Sequence, residues 1–163
     1  MVDRARNIFQ KGDVLMNNEG SARKQVAAFE NLFTWSSDNP RLVATKCKSC
    51  GYCFFPKNFT CGNPNCKGKD VEDILLSKRG KLWSWTTQYY KPPSPFIAPD
   101  PYVPFAVGLV EFPEGVKVIG IMTGCNDPDG ELRIDMEVEV VAEKIFIDED
   151  GNEVIGWKFK PVG

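Results

Sequence analysis

Cys47-Lys-Ser-Cys50-Gly51-Tyr-Cys53-Phe-Phe55-Pro56, followed further on by Cys61-Gly62-Asn-Pro64-Asn-Cys66, is the stretch on which the fold turns. Cys47 and Cys50 have the C-x2-C spacing of a metal knuckle, and Gly51 lets the backbone turn so that amides face the thiolates. Cys61 and Cys66 form a second, looser knuckle, with Gly62 and Pro64 supplying the turn. Two such knuckles converge on one tetrahedral ion, so structural Zn2+ on Cys47, Cys50, Cys61 and Cys66 is the expected site. Three readings compete with it: two disulfides, an iron–sulfur cluster drawing on Cys53, and a rubredoxin-like iron. Disulfides go with export, and the basic N-terminus is not followed by a signal-peptide core. For the cluster, Lys57 stands where a ferredoxin run has its next ligand. Four thiolates leave no open position, so such an ion holds the fold and does no chemistry. Cys53 is then a spare thiol beside the knuckle, and Cys125, which has no activating base, a buried structural one.

Working outward, the most informative count is zero: the 163 residues contain no histidine. That excludes Ser-His-Asp and Cys-His nucleophilic machinery, imidazole acid–base catalysis and imidazole-bound metals. With 42% hydrophobic and 26% charged residues the composition is that of a soluble globular protein, and no apolar run has the length of a membrane span. A cytoplasmic location is the expectation.

Residues 1–20 show no clear period. From Ser21, a plausible N-cap, Val26, Phe29, Leu32 and Phe33 recur at helical spacing, which predicts an amphipathic helix ending no later than Asn39-Pro40. Its apolar face packs either on the rest of the chain or on a partner. After the knuckles the period changes to two. Ile74 to Leu76 reads as a strand, Arg79-Gly80-Lys81 as a turn, and Leu82 to Tyr90, Phe105 to Phe112, Val116 to Thr123, Met136 to Ile147 and Val154 to Phe159 as further strands. Pro113-Glu-Gly115 and Asp148-Glu-Asp-Gly151-Asn are turns, and Glu137, Glu139 and Glu143 are placed to face water. Short antiparallel strands with Gly-rich turns point to a small closed barrel. Six of the 12 prolines crowd between Pro92 and Pro104, a loop too stiff for a central strand and long enough to carry function.

Charge is uneven. Arg41 to Lys91 holds ten basic and three acidic residues, and Asp127 to Glu153 eleven acidic and two basic. A four-thiolate zinc offsets little of that basic surplus, which suggests a face for an anionic ligand or partner.

The ribbon Cys47-Lys-Ser-Cys50-Gly-Tyr-Cys-Phe-Phe55-Pro56, with Cys61 and Cys66, then Gly80-Lys-Leu-Trp-Ser84-Trp-Thr, resembles the DUF35 family of acyl-CoA-associated proteins. The likeness continues through Pro101-Tyr102-Val103, the strand Phe105 to Glu111, the turn Gly124-Cys125-Asn-Asp-Pro128 and Val138 to Val141. It implies a mainly β chain: an N-terminal arm and helix (1–40), a rubredoxin-like zinc ribbon (41–73) and a small antiparallel OB-fold barrel (74–163). This sequence departs from the family in its C-x4-C second knuckle, its longer segment before Phe29 and Asn126 at an often acidic position.

The resemblance further implies a subunit inactive alone that completes the CoA-ester site of a thiolase-like catalytic partner, in a hetero-oligomer with two copies of each chain. The chemistry of such a complex is CoA-dependent cleavage of a 3-oxoacyl-CoA, with 2-benzoylsuccinyl-CoA of anaerobic toluene degradation favoured slightly by the long N-terminal arm. Candidate contacts to CoA or acyl-CoA are Lys46, Lys48, Lys57, Lys78, Arg79 and Lys91 for the phosphates, with Tyr89, Tyr90 and Tyr102 flanking adenine or pantetheine. Two other classes compete. A single-stranded nucleic-acid module would stack bases on Trp83, Trp85, Tyr89 and Phe105, although alternating aromatics in a barrel are usually core and the acidic C-terminal part repels phosphate. A redox or metal carrier would use Cys53 and Cys125, neither of which sits in a C-x-x-C pair independent of the ribbon.

Overall fold

In the computed structural model, which describes residues 23–35, 38–94 and 96–163, the regular secondary structure is almost all strand, joined by turns and irregular loops. The elements are β1 (Gln25–Ala27), β2 (Phe33–Thr34), β3 (Arg41–Cys47), β4 (Cys53–Phe54), β5 (Val71–Leu75), β6 (Arg79–Gln88), β7 (Phe105–Glu111), β8 (Lys117–Met122), α1 (Pro128–Glu131), β9 (Glu137–Ile147) and β10 (Glu153–Pro161). β3 pairs antiparallel with β2, β4 and β5, and these strands build the ribbon. The barrel follows the order β10-β8-β7-β6-β9, and the β9–β10 pairing closes it into five strands. β8 and β10 run parallel while their neighbours in the barrel are antiparallel, an OB-fold arrangement.

Alternation explains why these segments close. Along β7 the inward positions are Ala106, Gly108 and Val110, and along β8 Val118 and Met122, all buried. Gly108 and Gly120 are direct cross-strand partners on the inner face. A Cβ on Gly120 would sit 2.7 Å from the Phe159 ring, so two glycines side by side make room for the large side chains opposite. Leu82, Leu132, Val138, Val140 and Phe159 complete a core with no measurable exposure. Each such side chain stabilises the fold by about 1.5–3 kcal/mol.

The helix expected from Ser21 onward is absent from the described part of that segment. Residues 25–27 instead form β1, which adds parallel to β10 through Gln25↔Glu153, Val26↔Val154 and Ala27↔Ile155. Asn31 adopts φ 63°, a left-handed conformation that ends any helix there. The apolar spacing has another cause: Phe29 and Phe33 both fold over Trp157, at ring-centroid distances of 5.3 and 5.8 Å. Ser21 and residues 1–22 as a whole lie outside the described residues. The turn expected at Arg79-Gly80-Lys81 is also corrected: these residues open β6 and pair with Glu139, Val138 and Glu137 of β9. The chain turns just before them, between Leu76 and Lys78.

The ribbon is fastened to the barrel. The Arg41 guanidinium donates to the Leu76 carbonyl, and the Leu76 amide to the Leu42 carbonyl at 2.9 Å. Phe55 meets the Trp157 ring edge-on at 5.6 Å, while the Trp157 indole N–H donates to the Ile119 carbonyl at 3.1 Å. One tryptophan thereby joins the N-terminal turn, the ribbon and the barrel.

Candidate functional site

The end of β3 delivers Cys47, the following turn Cys50, and the loop between β4 and β5 delivers Cys61 and Cys66. Their four Sγ atoms lie within 4.8 Å of one another. Two of the separations are 3.9 Å (Cys47–Cys66) and 3.6 Å (Cys50–Cys61). A tetrahedral ion with Zn–S bonds of about 2.3 Å spaces its sulfurs about 3.8 Å apart, so the quartet has the size of the site zinc requires. Backbone amides turn toward the sulfurs, as from Asn63 to Cys61 (3.4 Å) and from Gly68 to Cys66 (3.3 Å).

The thiols respond unequally to one another. The Cys50 amide, above all, pulls Cys47 down to about 6. Cys61 is pushed up to about 12: the Asn63 amide favours its thiolate, but desolvation and the neighbouring thiols outweigh that amide. Cys66 is raised as well, against the Gly68 amide, by the Cys50 side chain and by desolvation. Packed together, the sulfurs do not all ionise without a cation between them, which is the charge problem a divalent metal solves. Cys53 stays outside the quartet, its Sγ directed at the Gly51 carbonyl and its thiol raised by burial. Cys125 is half-buried against the core, and its thiol too is raised by burial.

The other candidate residues do not converge on one place. Lys57 pairs with Asp73, Lys78 with Glu139 at 3.7 Å, and Arg79 with Glu137 at 3.5 Å. The last two pairs join the basic and acidic blocks across β6 and β9, so part of the charge separation seen along the chain closes in space. Glu139 and Glu143 are therefore half-buried partners of Lys78 and Lys158, and only Glu137 stands mainly in solvent. Lys46, Lys48 and Lys91 are exposed and have no ion pair among the described residues. Lys78 and Arg79 lie at one end of β6, and Tyr89, Tyr90 and Lys91 beyond the other, about 30 Å away at the rise of a ten-residue strand. At that far end the Tyr102 hydroxyl donates to the Gln88 carbonyl at 2.7 Å, Tyr89 donates to the Asp129 carboxylate, and Tyr90 stands 82% exposed.

Trp83 departs from the alternation. A β-bulge between Leu82 and Ser84 leaves it as the extra residue, half exposed, with the Lys117 Nζ 3.9 Å above its ring. Leu82 points into the core, and Trp85 packs against it from beyond the bulge. On the outer face of β7 and β8, Leu109 pairs with Ile119 and Val107 with Ile121. Ile119 is 63% exposed. Exposed Trp83 and Ile119, with half-buried Val107, Leu109 and Ile121 on the same outward face, make an apolar strip on the outside of the barrel. Residue spacing does not reveal a bulge, so sequence reasoning misses this strip.

A four-cysteine ribbon fused to a five-stranded OB barrel defines the class of protein. Residues 38–72 match the family profile described as "ChsH2, rubredoxin-like zinc ribbon domain", and residues 74–143 the profile "ChsH2, C-terminal OB-fold domain". The chain belongs to the DUF35 family. It is 34% identical over 123 residues to a DUF35 domain-containing scaffold protein of Methanocaldococcus jannaschii, covering 74% of this chain and 82% of the relative. It is 30% identical over 123 residues to the benzoylsuccinyl-CoA thiolase subunit BbsA of Thauera aromatica, covering 76% and 78%. A solved structure, the Ltp2-ChsH2(DUF35) aldolase, superposes with a TM-score of 0.58 at 26% identity, covering 74% of this chain and 84% of that one. No helix among the described residues is long and apolar enough to cross a membrane.

Proposed function

We propose that this chain is a non-catalytic subunit of a thiolase-like complex, docking on the catalytic chain and completing its CoA-ester site. The observation that carries this reading is the outward apolar strip of exposed Trp83 and Ile119 flanked by half-buried Val107, Leu109 and Ile121, a surface that soluble proteins generally keep for a partner. The relatives agree: one is named as a thiolase subunit, another as a scaffold, and a third structure is the Ltp2-ChsH2(DUF35) aldolase. Zinc on Cys47, Cys50, Cys61 and Cys66 has a structural role, since a closed four-sulfur site offers no position for substrate.

In the complex the partner's cysteine is the nucleophile, cleaving a 3-oxoacyl-CoA by a reverse Claisen step and passing the acyl group to CoA. This chain supplies a rigid wall, cations and exclusion of water. The nearness of Tyr89, Tyr90, Lys91 and Tyr102 at one end of β6 supports a shared ligand contact there, and Lys46 and Lys48 are exposed ribbon cations with no ion pair among the described residues. Two copies of each chain and a cytoplasmic setting belong to this reading, as does 2-benzoylsuccinyl-CoA as a substrate. A nucleic-acid role fits the strip less well, because its nearest cation, Lys117, is neutralised by Glu111 at 2.9 Å. Reconstitution tests the proposal: the chain alone should not cleave a 3-oxoacyl-CoA, and adding it to the thiolase-like chain should raise CoA-dependent cleavage. Equal activity of the partner with and without it contradicts the proposal.

A further inference from the structure

We propose that Phe59 anchors the zinc ribbon in an apolar slot, rimmed by carboxylates, on the thiolase-like subunit. The inference rests on the reading above and adds a second contact, on the ribbon instead of the barrel. Phe59 is 94% exposed, the most exposed large hydrophobic side chain among the described residues. Its loop is nevertheless held in place. The Asn58 amide donates to the hydroxyl of buried Thr45 at 3.4 Å, the Phe59 amide to the Asn58 side-chain oxygen at 2.8 Å, and Lys57 pairs with Asp73. A ring presented on a pinned loop loses little conformational freedom when it docks, which is the condition for an efficient anchor.

The charge around it indicates what it meets. From Lys46 to Asp73 the ribbon carries five lysines against three carboxylates, Asp70, Glu72 and Asp73. Glu72 is the cross-strand partner of Lys46 and Asp73 is engaged by Lys57, a balance that is still positive. Lys46, Lys48, Lys67 and Lys69 are exposed and have no ion pair among the described residues. Cations around an apolar anchor steer it to an acidic surface. A nucleic-acid strand is the poorer fit. Such strands lie on successive stacking platforms, whereas Tyr52, 49% exposed, stacks on Phe54 at 6.2 Å and Phe59 protrudes well beyond it.

The test uses the full chain and the thiolase-like subunit purified with it from the native cells. Phe59→Ala should bind that subunit about thirtyfold more weakly, as loss of an anchor does, with zinc content and melting temperature unchanged. Phe59→Trp should restore most of the affinity, and Lys48→Glu with Lys67→Glu should slow association and flatten its salt dependence. Wild-type affinity of Phe59→Ala overturns this inference while leaving the functional reading intact. Oligothymidylate binding that depends on Phe59 overturns it in favour of nucleic acid. A wild-type chain that brings down no thiolase-like subunit removes the functional reading, and this inference with it.

Discussion

Glu114, in the turn between β7 and β8, accepts both the amide and the hydroxyl of Ser77 through one oxygen, at 2.8 Å each. Ser77 lies in the short link between the last ribbon strand and the first barrel strand, so this carboxylate fixes the angle between the two parts. Its second oxygen is buried with no hydrogen-bond partner among the described residues. Losing hydrogen bonds to a charged acceptor costs about 1.5–3 kcal/mol, so Glu114→Ala should lower the melting temperature by several degrees. Ser77→Ala removes only the hydroxyl and should cost about half as much. A double-mutant cycle by thermal unfolding checks the coupling, and additive effects would show that the contact does not bind ribbon to barrel.

The metal site separates ligands from bystanders. Cys50→Ser should abolish stoichiometric zinc and unfold the ribbon, because metal-binding energy in such sites is folding energy. Cys53→Ser should keep one zinc per chain, since Cys53 lies outside the quartet. Metal analysis of the two purified variants decides, and loss of zinc from Cys53→Ser would move the ligand set to the iron–sulfur spacing.

Gly120→Ala places a methyl group 2.7 Å from the Phe159 ring, which is itself packed at 6.1 Å from Phe112. Aromatic rings in a filled barrel have little room to withdraw, so this substitution should cost about 1–3 kcal/mol. Denaturant unfolding measures it, and a neutral result would mean that the barrel interior is looser than the packing indicates.

Tyr89 and Asp129 shift one another. The hydrogen bond to Asp129 raises Tyr89 above its ordinary phenol range, and the same bond, followed by that from Thr87, holds Asp129 below the usual carboxylate range. For Tyr89 the folded value lies above the unfolded one, so the proton's contribution to stability is complete below the ordinary phenol range and fades as pH rises through the raised value. For Asp129 the contribution stands above the ordinary carboxylate range and fades as pH falls through the lowered value. Phenolate absorbance, resolved by difference from Tyr89→Phe, should show late ionisation, and Asp129→Asn should bring it back toward the ordinary range.

The ribbon and the barrel are legible in the sequence for different reasons. Metal ligands stand at fixed spacings beside turn residues, so Cys47, Cys50, Cys61 and Cys66 can be picked out before any tertiary contact is known. Strands buried on one face print a period of two, as β7 does in full. The N-terminal helix fails as an expectation because Phe29 and Phe33 mimic helical spacing while converging on Trp157, more than a hundred residues away, through a turn at Asn31. The bulge at Trp83 and the exposure of Phe59 are equally hidden, since each depends on how a neighbouring strand or loop is placed. The candidate cations divide for the same reason: Lys57, Lys78 and Arg79 find carboxylates only once distant segments meet.

The central claim is that this chain works as the partner of a thiolase-like catalytic subunit. Purifying it from its native cells, grown on different carbon sources, and identifying by mass spectrometry what co-elutes in stoichiometric amount tests this most directly. The account predicts a thiolase-like chain in a complex with equal numbers of the two chains. A monomeric protein that brings down no such chain under any growth condition would contradict it.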